Sequence, residues 1–178
     1  DWDARGVPWA PSGGMIHHTG PPVPFAVEAL YPAPHGTLGG GRIKANFNVK
    51  PDGTVHVIAA GACTYASGPG NTTTVLKETR LNIAPSGTAS ARTLGDTGGG
   101  NRHFVNCEAD HLGDGSIMTA VQERAVIKAY NAIFRNFGWP AARLVGHCEW
   151  TTRKVDPRWN GTTNRTPHLR AEIGKLEA

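Results

Sequence analysis

Gly146-His147-Cys148-Glu149-Trp150-Thr151-Thr152-Arg153-Lys154-Val155-Asp156-Pro157 sets an imidazole, carboxylates and cations side by side in one short segment. Leu144-Val145-Gly146 leads into it, a brief apolar run ending in glycine, the pattern of a buried strand that delivers His147 to its mouth. Pro157 opposes a continuing helix or strand, so Lys154 and Asp156 read as loop residues. Side chains alternate along an extended chain, which puts Lys154 and Asp156 on one side and Val155 on the other. A cation and a carboxylate are thereby aimed into one cleft beside a histidine, as part of a metal site.

More ligands come from the N-terminal end. Met15-Ile16-His17-His18-Thr19-Gly20 is a short strand-like run with a histidine pair at its end. A catalytic zinc takes three protein ligands and leaves a fourth position open. His17, His147 and Asp156 fill that scheme with nitrogen, nitrogen and oxygen. Each motif by itself says little, because histidine has many uses. Their combination, at the ends of two apolar runs, is specific.

His-His-Thr near the start, then Gly-His-x-Glu-Trp and Arg-Lys-x-Asp-Pro near the end, resembles the zinc-dependent N-acetylmuramoyl-L-alanine amidases. That amidase-2 family also includes phage T7 lysozyme-like enzymes and peptidoglycan recognition proteins. The resemblance extends from about Met15 to the last helix, and is narrower still to amidase domains of lysins from phages infecting actinobacteria. It implies Zn2+ held by His17, His147 and Asp156, with Lys154 facing the reaction. His103 to Glu108 is similar to the family strand that ends in an acid, which makes Glu108 the general acid/base. Some relatives carry a catalytic tyrosine where this chain has Ala45. Tyr65 stands near a cleft histidine of many relatives and reads as either pocket lining or packing. His18 and Glu149 read as substrate contacts or as structural neighbours of the site.

The implied reaction is hydrolysis of the amide between N-acetylmuramic acid and L-alanine in bacterial peptidoglycan by a zinc-activated water. The implied setting is the bacterial cell wall, reached at lysis after synthesis in a host cytoplasm, with a monomer expected. Three alternatives stay open: a non-catalytic peptidoglycan recognition module, a regulatory protein-binding role, and a cytoplasmic amidase recycling anhydro-muropeptides.

Composition fits this setting. The 178 residues suit one domain, with residues 1–14 as an irregular lead-in and 15–178 as the catalytic domain. A net charge of +4 favours approach to an anionic polymer. No basic-aromatic interleaving points to nucleic acid, and no apolar run is long enough to span a membrane. The start, Asp1-Trp2-Asp3-Ala4-Arg5, is not a secretion signal and reads as a mature chain or an excised domain. Cys63, Cys107 and Cys148 form no even framework. Cys107 and Cys148 adjoin proposed site residues, so alternation turns them into the core as free thiols, with a Cys107–Cys148 bridge as the alternative.

Along the chain, Trp2 and Trp9 read as covers for core surface. Phe25 to Leu30 suggests a helical turn, and 32–41 a loop. Ala45 to Val49, the Pro51-Asp52-Gly53 turn and Thr54 to Ala59 make a hairpin. Residues 67–101, dominated by Gly, Ser, Thr, Asn and Ala, read as loop that shapes the polymer groove. Ser116 to Phe137 reads as the main helix, capped by Thr119 and Gln122, with Val121, Ala125, Val126, Ala129, Ile133 and Phe137 inward and its charges merely solvated. Thr166-Pro167 opens a last helix docked by Leu169, Ile173 and Leu176. Together these predict an α/β domain, a central mixed sheet flanked by helices.

Overall fold

A computed structural model of the chain describes residues 9–24, 26, 30, 43–64, 66–86 and 99–177. The expected strands are present: β1 (Gly13–His18), β2 (Phe47–Val49), β3 (Val55–Val57), β4 (Phe104–Ala109) and β5 (Leu144–Gly146). They form one sheet in the order β3-β2-β4-β1-β5. Among the described residues only the β2–β3 hairpin is antiparallel, while β2, β4, β1 and β5 run parallel. The sheet is therefore mixed, as predicted. Trp2, the 32–41 loop and most of Phe25 to Leu30 lie outside the described residues.

Alternation along these strands sorts the molecule into two layers. Ile16, Val105, Cys107 and Leu144 face a core closed by α3 (Ala120–Phe137) and α5 (Thr166–Glu177), with Phe134, Trp159, Leu169 and Ile173. Met15, Phe104 and Val145 face a smaller cluster formed with Val75, Leu76 and Trp150. The same second face carries His17, Asn106 and Glu108 toward the carboxyl ends of the strands. Gly14 allows α3 to sit hard against the sheet, since a Cβ there would fall 2.5 Å from the Tyr130 ring. Tyr130 in turn donates its hydroxyl to the Met15 carbonyl at 2.6 Å.

Several local expectations needed correction. β1 begins at Gly13, inside the stretch read as lead-in. The 67–101 segment is not all loop: Val75–Arg80 forms α1 and Gly99–His103 forms α2. Its Gly-Ser-Thr composition hides one short amphipathic run, whose Val75, Leu76 and Thr79 are buried.

α3 starts at Ala120, not Ser116, with the Thr119 hydroxyl accepting from Gln122 N–H. Its buried stripe is Gln122, Val126, Tyr130 and Phe134, whereas Val121 and Phe137 are exposed. Gln122 enters the core because its amide donates to the Val49 and Asp110 carbonyls, which offsets the cost of burying it. On α5, Leu169 and Ile173 dock and Leu176 does not. Trp9 does pack on the main core, and the three cysteines are free thiols. Cys107 is buried as expected, whereas Cys148 is only half-buried, because it lies on a helical turn where strand alternation does not apply.

Glu123 is more than a solvated charge. It accepts from Trp159 Nε1 at 3.0 Å and from Arg165 at 2.8 Å, tying α3 to the 157–165 loop. Burial alone would raise its pKa, but the Arg165 and Trp159 hydrogen bonds hold it below the ordinary carboxylate value. A depressed carboxylate pKa stabilises the fold above the unfolded value, and that contribution is lost as pH falls through the folded one. The Glu123→Gln variant should melt lower than the parent near neutrality. The gap should close on acidification below the carboxylate range, as read by Tm against pH.

Candidate metal centre

Register builds the site. His17 on β1 is the Cα partner of Glu108 on β4, and Ile16 is level with Gly146 on β5. His147 therefore emerges beside His17. It opens α4 (His147–Trp150), a single turn after which the chain leads to Asp156. Cys148 N–H donates to the Asp156 carbonyl at 2.7 Å, which folds this loop back onto the turn.

His17, His147 and Asp156 are all buried and meet at one point. Nδ1 of His17 lies 2.8 Å from Nδ1 of His147, and Asp156 Oδ2 lies 3.1 and 2.9 Å from those two nitrogens. The outer nitrogens are already committed. His17 Nε2 bonds to Asn106 Oδ1 and His147 Nε2 to the Ser67 carbonyl, each at 3.0 Å. Both partners are acceptors, so each ring carries its proton on Nε2 and turns an Nδ1 lone pair inward. Two lone pairs and a carboxylate oxygen cannot share this space without a positive charge among them.

Electrostatics agree. Burial lowers the His17 pKa, but the Asp156 hydrogen bond and the charges of Glu108 and Asp156 outweigh it and leave it raised. Burial and the adjacent His17 depress His147 to about 4. Burial opposes ionisation of Asp156, yet hydrogen bonds from the two imidazoles hold its pKa far below the ordinary value. One proton shared among the three inward-facing atoms, or a cation in its place, would supply the charge that this geometry demands. Two imidazoles and one carboxylate also match the ligand types zinc takes at catalytic sites.

Glu108 stands directly opposite His17 on β4. Its Oε2 is enclosed and has no hydrogen-bond partner, and burial pushes its pKa up to about 7 against the pull of His17. Lys154 is exposed and lines a cleft of about 430 Å³ together with Thr64, Ser67, Pro69 and Arg153. Its charge reaches both His147 and Glu108. Arg153 donates to the Pro69 carbonyl at 2.8 Å and closes one wall of that cleft.

The remaining predicted residues fall elsewhere. Both Glu149 oxygens are engaged by Arg170, one also by Asn164 and the other by Gly146 N–H. Glu149 is thereby a buried strut between α4 and α5. Removing one member of such a pair strands the other charge, at a cost of about 3–5 kcal/mol. Glu149→Ala should lose stability of that order in denaturant titration.

His18 is turned to the other side, where its Nδ1 accepts from Arg158 N–H at 3.2 Å. Its ring packs on Gly113, where φ is +73° and a Cβ would fall 2.0 Å from Nε2. Tyr65 lies outside the described residues, and Ala45 is fully buried. Asn106 and Ser67 were missed by the sequence reading. The available signal for Asn106 was its position two residues before Glu108, on the same strand face.

Residues 8–159 match the amidase-2 family of N-acetylmuramoyl-L-alanine amidases. The chain belongs to that family. No curated protein matches it. Among solved structures it is similar to a selenomethionine derivative of AmpD, with TM-score 0.61 and 17% identity over 92% of this chain and 84% of that one. It is also similar to the N-acetylmuramoyl-L-alanine amidase LysC from Clostridium intestinale, with TM-score 0.56 and 16% identity over 97% and 91%. The endolysine amidase LysCS from the same organism gives TM-score 0.52 and 17% identity over 97% and 93%. At such identities these likenesses establish the fold, an amidase-2 sheet flanked by helices. No helix among the described residues is long and apolar enough to cross a membrane.

Proposed function

We propose that this protein is a zinc-dependent N-acetylmuramoyl-L-alanine amidase that cleaves peptidoglycan between N-acetylmuramic acid and L-alanine. The observation that carries the reading is the meeting of His17 Nδ1, His147 Nδ1 and Asp156 Oδ2 at one buried point within the family's own fold. These three residues would hold the ion. When bound, zinc supplies Lewis acidity, which polarises a carbonyl and acidifies water.

The protein's residues do the rest. Glu108, poorly solvated and free at Oε2, takes the proton from the attacking water and returns it to the departing L-alanine nitrogen. Lys154, at the cleft rim, presents its ammonium to the oxyanion of the tetrahedral intermediate. Loss of such a donor costs about 10²–10³ in turnover. Lys154→Ala is expected to lose that factor in kcat while keeping its zinc, and normal hydrolysis by the variant would remove this role.

The catalytic domain in this reading includes the whole of β1, from Gly13 onward, and the protein acts on the wall as a monomer. The narrower assignment, a phage lysin released at host lysis, rests on the end motifs. One experiment separates the readings. Purified wall is digested with and without a chelator, and the released peptides are identified by mass spectrometry. Stem peptides headed by free L-alanine, abolished by chelation and restored by zinc, support the amidase. Binding without release favours a recognition module. Cleavage of soluble anhydro-muropeptides but not of intact wall favours recycling.

A further inference from the structure

We propose that Ser67 is a positioning residue for both imidazoles, working together with Asn106. This rests on the zinc reading above. Its starting point is that the outer nitrogens of two histidines from different elements converge on one loop. His147 Nε2 donates to the Ser67 carbonyl at 3.0 Å. His17 Nε2 donates to Asn106 Oδ1 at 3.0 Å, and the Ser67 hydroxyl donates to that same oxygen. One amide oxygen has two lone pairs, and here both are used. Ser67 thus reaches His147 through its backbone and His17 through its side chain and Asn106.

The two polar side chains are themselves held. Asn106 is fully buried, and its Nδ2 donates to the Phe104 carbonyl at 2.8 Å, which points Oδ1 at His17. Ser67 is also buried. Its N–H and that of Ala66 both donate to Asn101 Oδ1 at 2.8 Å. The next residue, Gly68, offers its carbonyl to Gly100 N–H at 2.9 Å and to Trp150 Nε1 at 3.1 Å. The loop that seats the rings is therefore pinned from α2 on one side and from α4 on the other. Neither imidazole can rotate its inner nitrogen away from Asp156 without breaking its outer hydrogen bond. Buried polar groups left unpaired in this way are costly, which makes the arrangement stiff.

The test uses the whole chain, with zinc as the probe. Zinc affinity is measured by competition with a chromophoric chelator, and the ring protons are located by 1H–15N spectra of the zinc-loaded protein. Wild type is expected to show both ring protons on Nε2. Asn106→Leu should weaken zinc by about 10–100-fold, the usual cost of losing an outer-shell partner, and perturb the His17 signal alone. Asn106→Asp keeps the acceptor for His17 but loses the Nδ2 donor to the Phe104 carbonyl, and should recover only part of the affinity. Asn101→Ala, which releases the Ser67 backbone, should perturb His147 instead. Ser67→Ala should act on His17 and leave His147 in place. Wild type that takes up no zinc would remove the reading underneath. Zinc uptake by wild type, with affinity and ring signals unchanged in Asn106→Leu and Asn101→Ala, would overturn the positioning role alone. If Asn106→Leu does not fold, Ser67→Ala and Asn101→Ala decide by the same signals.

Discussion

Asp156→Ala is expected to abolish zinc retention and with it hydrolysis of the wall. Asp156 carries the negative charge in the set, and its Oδ2 faces both inward nitrogens at 3.1 and 2.9 Å. Without it, two neutral imidazoles remain as ligands, and a divalent ion would enter a buried site with no charged ligand to offset its desolvation. Outer partners of metal ligands already cost about 10–100-fold when removed. A direct, charged ligand should exceed that, and turnover is expected to fall to background. Metal content per chain after dialysis and turnover on purified wall provide the check. Asp156→Asn keeps an oxygen but not the charge, and should lie between. A variant with one tightly held zinc and parental turnover would refute the ligand assignment.

The second large effect is expected at Glu108, and its signature differs. Glu108→Gln preserves shape and removes the proton acceptor, so kcat should fall by about 10²–10⁴, the usual contribution of a general acid/base. Zinc content should stay at the parental level, since Glu108 is not among the three converging atoms. Glutamine places no charge in the enclosed position that pushes the parent carboxyl up to about 7, so the fold should hold. Turnover within a few-fold of the parent would transfer the proton-handling role to another group. The contrast between the two variants is diagnostic. One loses the metal and the reaction together, the other only the reaction.

The sequence by itself carried most of the architecture. The hairpin, the strands that carry His17 and Glu108, the Leu144–Gly146 run and the Thr119 cap are written in local alternation, turn chemistry and capping, which act over a few residues. The chain also showed that His17, His147 and Asp156 belong together, because end motifs of that type are informative as a set. It could not show that their inner nitrogens and oxygen meet, since that depends on the parallel register of β1 with β4 and β5.

The tertiary structure decided the polar partners. Gln122 displaced Val121 from the core because two backbone carbonyls on other elements were waiting for its amide. Glu149 went to Arg170 on α5, away from the imidazoles. Ser67 and Asn106 joined the site from a loop and a strand distant in the chain. Apolar burial follows a period that can be read locally. A buried polar side chain is instead placed by whichever complementary group lies within hydrogen-bond reach, and that group is chosen only when the chain has folded.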